Sequence, residues 1–289
     1  MKKIILVVVV LLISASGNSV RAQAQVRFDT PYGHNAAVGK YAQVNGINMY
    51  YEEYGSGEPL LLIHGNGGDI RSMANQIDYF KSNYKVIVAD SRGHGKSELG
   101  TDSLTYVQMA DDWDGLVEFL KLDSVNIIGW SDGGIISLLM GINQRSPIKR
   151  IVAMGANLRP DTTAVYPWAP NDVFKMLDDV SAMIQKHDSS RNWDLIKQQL
   201  DLLLFQPNIT HEQLGRIACP VLVIAGDKDI IREEHTVEIY QNIPRAQLCI
   251  MPGETHFAPA KDPEVFNAIA EKFIAKPFNR PDSNWTKRK

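Results

Sequence analysis

The chain has 289 residues and only two cysteines, Cys219 and Cys249, too few for a disulfide scaffold or a cysteine-rich zinc site. Positive charge is not in excess either. Thirty basic residues stand against 33 acidic ones, a net charge of −3, so the basic footprint of a nucleic-acid binder is missing. No apolar stretch reaches the roughly 20 residues that cross a bilayer, and no low-complexity tract occurs. The glycines at 65–68 are not followed by the Gly-Lys-Ser/Thr of a phosphate loop, and they lack the third glycine of a dinucleotide fingerprint. His211-Glu212 has no second histidine behind it. The expectation is therefore no metal and no cofactor. With 44% hydrophobic and 22% charged residues, the chain reads as a soluble globular protein, and its length suits one large domain or a domain with an insertion.

The first residues do not belong to that fold. Lys2 and Lys3 precede the apolar run Ile4 to Ile13, and Ala22-Gln23-Ala24 makes an A-x-A cleavage pattern. This predicts a secretory signal peptide over 1–24 with mature Gln25 as the start, the alternative being an uncleaved anchor. With no cysteine before Cys219, a lipidated N-terminus is not expected. Cleavage removes Lys2, Lys3 and Arg21 and no acid, taking the net charge from −3 to −6. A secreted or periplasmic protein without a stable membrane anchor follows. Both cysteines lie in strand-like runs and are expected as two buried thiols rather than a bridge. An oxidising compartment leaves a bridge open.

Strand and helix patterns alternate through the rest. Tyr41–Asn45 and Ile47–Tyr54 predict a strand pair turning at Asn45-Gly46. Continuous apolar runs at Pro59–Ile63, Tyr84–Ala89 and Ser124–Gly129 predict buried strands, and further strands are expected at Ile151–Met154, Val221–Ala225 and Leu248–Met251. Helical patterns lie at 70–82, 105–121, 132–144, 232–243 and 263–275. The alternation predicts a mostly parallel central sheet with helices on both faces. Residues 158–209 break the rhythm: Val173, Leu177, Val180 and Ile184 follow helical spacing, as do Trp193, Ile196, Leu200 and Leu203. They are expected to form a helical lid between core segments 25–157 and 210–276. Thr210 and Gln213 form a capping-box pattern where the core resumes. The basic, polar stretch 277–289 is expected to be a flexible tail.

The chemistry-bearing residues fall at strand ends. Gly129-Trp130-Ser131-Asp132-Gly133 fits G-x-S-x-G between a buried strand and a helix, the setting that projects a serine from a tight turn. The flanking glycines are required where a Cβ would strike neighbouring backbone. The serine hydroxyl needs a base to take its proton. His256, just past the last strand, is the candidate. His64 and His94 read as shaping their own turns, and His34, His187, His211 and His235 as surface or lid residues. Asp229 is the candidate carboxylate behind the base, with Asp227 as the alternative. The order Ser131, Asp229, His256 suits a serine hydrolase of this strand pattern. The main-chain N–H groups of Asn66, in His64-Gly65-Asn66-Gly67-Gly68, and of Asp132 are the candidate oxyanion donors. As main-chain groups they are beyond the direct reach of side-chain substitution. Trp130 beside the serine is a candidate substrate contact.

These blocks, HGNGG (64–68), DSRGHGKS (90–97), GWSDGG (129–134), GDKD (226–229) and GETH (253–256), resemble the α/β-hydrolase superfamily, over about Gly39 to Lys276. GWSDGG running into GIISLLM and MGAN (154–157) is similar, more narrowly, to the valacyclovir hydrolase, or biphenyl-hydrolase-like, group. That resemblance implies hydrolysis of small carboxylic esters through an acyl-enzyme, including α-amino-acid esters whose ammonium group is held by the aspartate after the nucleophile. Asp132 matches that position. A plainer reading makes Asp132 an acid favoured by about 0.3–1 kcal/mol in the first turn of a helix. The same fold and triad also serve peptidases, lactonases and C–C bond hydrolases, and a non-catalytic binding protein can keep the fold. The partner expected is a small-molecule ester; the oligomeric state leaves no mark in the sequence.

Overall fold

The computed structural model describes residues 28–281 with Asn284 and Thr286. The expected export segment 1–24, the mature start and the basic end Lys287–Lys289 lie outside the described residues. Eight strands form one sheet: β1 (Lys40–Val44), β2 (Ile47–Tyr54), β3 (Glu58–Ile63), β4 (Tyr84–Ala89), β5 (Val125–Trp130), β6 (Ile148–Met154), β7 (Val221–Lys228) and β8 (Ala246–Thr255). Their spatial order is β1-β2-β4-β3-β5-β6-β7-β8. The β1–β2 and β2–β4 pairings are antiparallel, and every pairing from β4 through β3 to β8 is parallel. The β1–β2 hairpin turns at Asn45 (φ 42°) and Gly46 (φ 82°), the left-handed pair that matches strand twist.

Period-two alternation splits each buried strand between two cores. Leu61, Ile63, Ile87 and Ile127 face one apolar cluster, and Leu60, Leu62, Val86 and Ile128 the other. The first cluster is covered by α2 (Tyr106–Phe119), α3 (Asp132–Asn143) and α7 (Glu233–Asn242), through residues such as Trp113, Ile136 and Ile239. The second is covered by α1 (Ala74–Phe80) and α9 (Pro263–Ala275), through Ile77, Phe80, Phe266 and Phe273. Successive strands are laid down first on one side of β3 and then on the other. The carboxyl ends of β3 and β5 therefore diverge into a crevice, the place where open α/β sheets bind ligands.

Between β6 and β7 the chain leaves the sheet. Two helices, α4 (Trp168–Gln185) and α5 (Trp193–Phe205), pack on each other through Val173, Val180, Leu200 and Leu204. The insertion is shallower than the 158–209 pattern suggests, because Leu158, Leu202 and Ile209 join the main core. The short α6 (His211–Leu214) begins with the expected Thr210–Gln213 capping box, and α8 (Ala258–Lys261) precedes α9.

Four expectations change. The 70–82 helix opens as a 3-10 turn over Ile70–Met73 before α1, because Asp69 and Ser72 form a capping box there and Asp90 draws in the Ile70 N–H at 2.9 Å. His235 is not a surface residue. It is buried in α7, where its Nε2 accepts the Leu158 N–H at 2.9 Å at the base of the insertion. The segment after Pro277 is held rather than loose as far as Arg280. Phe278 packs on the second core, the Asn279 carbonyl accepts from Gln247 at 2.6 Å, and Arg280 donates to the Pro244 carbonyl at 3.0 Å. Cys219 lies in a bend before β7, not in a strand; both cysteines are free, and both are half-buried rather than fully enclosed. Among the described residues no helix is long and apolar enough to cross a membrane.

Candidate active site

Ser131 occupies the one-residue joint between β5 and α3 with φ 59° and ψ −120°, a conformation that costs an L-residue of order 1–3 kcal/mol and persists only where its surroundings enforce it. The Ser131 N–H is tied to the Met154 carbonyl at 2.8 Å, and the Ser131 carbonyl accepts the Gly134 N–H at 2.8 Å. A Cβ on Gly129 would fall 2.1 Å from the Gly133 carbonyl oxygen, and one on Gly133 would fall 2.0 Å from that of Ile63. Both glycines of the G-x-S-x-G pattern are therefore steric necessities.

The hydroxyl so presented meets two side chains from distant strand ends. His256, one residue past β8, brings Nε2 to 2.8 Å from Ser131 Oγ and Nδ1 to 2.6 Å from Asp229 Oδ1. Asp229, one residue past β7, also accepts the Ile231 N–H on Oδ1 at 3.1 Å. Asp227 faces elsewhere and accepts the Gly253 N–H at 3.0 Å. Imidazole and carboxylate are both buried. Burial pulls the His256 pKa down, but the charge and hydrogen bond of Asp229, joined by the charge of Asp132, outweigh it, and the net shift is upward.

The other histidines nearby are structural. His64 is buried. Its Nδ1 donates to the Gly65 carbonyl at 2.7 Å, and its Nε2 accepts the Ser91 N–H at 3.0 Å. His94 is buried against the Arg92 carbonyl at 2.9 Å, and burial pushes its pKa down to about 3.

Asn66 and Asp132 are drawn together beside the serine. Asn66 Nδ2 donates to Asp132 Oδ2 at 3.0 Å and to the Gln199 carbonyl of α5 at 2.9 Å. Tyr106, enclosed at the start of α2, sets its phenol beside the Asp132 carboxylate, where it favours the anion. Burial raises the Asp132 pKa to about 6 against the lowering pull of Asn66, Tyr106 and the His256 charge. Trp130 spends its indole N–H on the His256 carbonyl at 2.8 Å and meets Phe257 edge-on, so it steadies the histidine turn and offers a ligand only its ring.

A cavity of about 150 Å³ opens over Ser131 and His256, a size that in an apolar setting suits a benzene-sized group. Asn66, Tyr106 and Asp132 form its polar side. Trp168 and Val173 of α4, with Leu203 of α5, form much of its apolar roof.

Three contributors escaped sequence reading. Gly155, at φ 62°, leaves room for the imidazole: a Cβ there would lie 2.7 Å from His256 Cε1. Its signal was a glycine directly after a buried strand. Tyr106 and Gln199 carry no local signal, since each reaches the site only through packing between helices.

A family profile for the alpha/beta hydrolase fold matches residues 58–208. The chain belongs to this family. Several of its relatives are hydrolases. Human serine hydrolase BPHL is 27% identical over 260 residues, covering 84% of this chain and 88% of that protein. A pimeloyl–acyl-carrier-protein methyl ester esterase of Legionella pneumophila is 22% identical over 252 residues, covering 79% of this chain and all, 100%, of that protein. Among solved structures, an esterase from Exiguobacterium antarcticum superposes with a TM-score of 0.70 at 21% identity, over 82% of this chain and 100% of that one. The enol-lactonase from Burkholderia xenovorans superposes with a TM-score of 0.67 at 22% identity, again over 82% and 100%. At these identities the structural matches speak to the fold.

Proposed function

We propose that the protein is an exported serine hydrolase that cleaves small carboxylic esters through Ser131, His256 and Asp229. The observation that carries the reading is the unbroken pair of contacts, 2.8 Å and 2.6 Å, joining the strained Ser131 to His256 and His256 to Asp229. In this mechanism Ser131 Oγ attacks the acyl carbon as His256 Nε2 takes its proton. Asp229 holds the Nδ1–H tautomer and balances the imidazolium. The N–H groups of Asn66 and Asp132 receive the oxyanion. The tetrahedral adduct collapses as His256 returns the proton to the departing alcohol, leaving an acyl-Ser131. Water then attacks, its proton passing to His256, and the acid leaves as Ser131 regains a proton. Every step uses protein groups and water. The export part of the proposal is supported by the basic, apolar and A-x-A pattern of residues 2–24.

A fluorophosphonate probe should label the protein at Ser131, and Ser131→Ala should lose both labelling and ester turnover. Labelling that survives the alanine change overturns the nucleophile assignment. Folded parent protein that takes no label favours a binding protein on this fold. A panel of esters, lactones, amides and C–C substrates, with products identified, separates the bond types.

Preference for α-amino-acid esters is the finer part of the proposal. It is supported by the carboxylate of Asp132 on the polar side of the cavity. With a pKa of about 6, that carboxylate is ionised at neutral pH. An aminoacyl ester should exceed its des-amino analogue in kcat/KM, and Asp132→Ala should erase the excess. Equal ratios in parent and variant remove Asp132 from amine recognition.

A further inference from the structure

We propose that the Asn66 side chain is a positioning clamp for the oxyanion site, holding in register the two residues whose main-chain N–H groups face the developing charge. The inference rests on the ester-cleavage reading and deepens it, because that reading uses only the main chain of Asn66.

The two N–H groups come from separate pieces of the fold, the loop after β3 and the first turn of α3, 66 residues apart in sequence. Nothing covalent nearby sets their spacing. The loop is soft by composition, with Gly65, Gly67 and Gly68 around the asparagine and Gly67 at φ 63°; such a segment has many alternative conformers. One side chain spans the gap. Asn66 Nδ2 spends both hydrogens, one on Asp132 Oδ2 at 3.0 Å and one on the Gln199 carbonyl at 2.9 Å. Both partners are acceptors, so only the NH₂ face of the amide can meet them. Asn66 Oδ1 is buried without a hydrogen-bond partner, so the amide is held through its NH₂ alone.

The third anchor is itself fastened. Gln199 Nε2 donates to the Gly93 carbonyl at 3.0 Å, which ties α5 to the loop after β4. The clamp thus links the loop after β3, the start of α3 and the inserted helix α5. Donors displaced by about 1 Å from the oxyanion forfeit on the order of a hundredfold in rate, so the amide sets how well the hole is formed. This also provides a side-chain handle on donors that substitution otherwise cannot touch.

The test uses the full-length mature protein with Asn66→Ala, Asn66→Asp, Asp132→Asn, Asp132→Ala and the double alanine variant. Asn66→Asp keeps the shape but sets acceptors where the donors were. The readouts are kcat and KM for a small ester, fluorophosphonate labelling, and affinity for a trifluoromethyl ketone, whose serine adduct carries an oxyanion. Asn66→Ala should lower kcat by about 10–100-fold, less than removal of a donor, with KM within about threefold. The ketone should weaken by the same factor as kcat/KM, and Asn66→Asp should be at least as damaging as Asn66→Ala. Asp132→Asn, which keeps an acceptor oxygen, should lose less kcat than Asp132→Ala. The double alanine variant should lose no more than the worse single one, as members of one linkage do.

Unchanged kcat and ketone affinity in the Asn66 variants, with Ser131 still labelled, overturn the clamp and leave the ester reading standing. A fall in kcat without a matching loss of ketone affinity overturns it as well. If Asn66→Ala does not fold, the Asp132 pair decides, and equal kcat in Asp132→Asn and Asp132→Ala is the adverse result. Parent protein that is not labelled at Ser131 overturns both readings together.

Discussion

Helices α3 and α4 bury apolar residues to opposite degrees. In α3, ten of 12 residues are buried, Asp132 through Gly141, and after Asp132 it carries no charge. In α4 only Val173 and Val180 of 18 residues are buried, and Asp172, Lys175, Asp178 and Asp179 stud its surface. The former is wedged between the sheet and α2, so every side of it is covered. The latter rests on α5 along one seam and roofs the cavity with the other. The contrast shows a division of labour. The densely packed framework holds reactive groups to within fractions of an ångström, because close-packed interiors do not yield. The thinly packed insertion shapes what reaches them.

The sharpest way to break that division is at its reactive end. Ser131→Ala should cost about 10⁴–10⁶ in kcat while leaving the urea midpoint close to that of the parent. A comparable loss from any single change confined to α4 would mean that the insertion carries chemistry too.

Next in size is the framework's buried ion pair. Arg92 donates to Asp112 through Nε at 2.6 Å and Nη2 at 2.7 Å, both side chains being 1% exposed. Arg92→Ala leaves that buried carboxylate without its counter-charge, with the Asn45 amide still donating to it at 3.1 Å, and should lower stability by about 3–5 kcal/mol in urea unfolding. A loss below about 1 kcal/mol would show the turn at 90–97 to be looser than its packing implies.

Smaller, and pH-dependent, is the effect at Asp132. Its folded pKa is raised to about 6 from an unfolded value of about 3.9, so folding disfavours its anion. The penalty is absent below about pH 4, grows as pH climbs to about 6 and stays constant above. Asp132→Asn should therefore match the parent at pH 4 and exceed it at pH 8, by about 2–3 kcal/mol. No gain at pH 8 would mean that Asn66 and Tyr106 fully offset the burial of the charge.

Smallest is Trp168→Ala, in the roof. This residue is 43% exposed yet lines the cavity. The expected result is a rise of about tenfold in KM for esters with ring-sized groups, equivalent to about 1.4 kcal/mol, with kcat and thermal midpoint nearly unchanged. A large fall in kcat instead would blur the line between framework and roof.

Much of this was legible from one dimension. The runs Pro59–Ile63, Tyr84–Ala89 and Ser124–Gly129 forecast buried strands within one or two residues of β3, β4 and β5, because burial on both faces selects mostly apolar residues. The Asn45-Gly46 turn and the Thr210–Gln213 box were likewise readable, since each is made by residues within four positions of one another. So was the joint at Ser131, whose glycines answer to collisions with the adjoining turn and the neighbouring strand.

What the linear order could not decide were matters of direction and of remote meeting. Asp227 and Asp229 sit two residues apart at the same strand end, and only the path of the chain past β7 turns one toward His256 and the other toward Gly253. His235 looked superficial until helix α7 carried it beneath the base of the insertion. The Asn66 amide reaches Asp132 and the Gln199 carbonyl, and the Tyr106 phenol reaches Asp132, across helices and loops with no shared local pattern. Residue type and short-range spacing determine strands, turns and caps, because those depend on backbone sterics and on burial alone. The polar contacts of the site depend on where rigid bodies come to rest, and packing settles that.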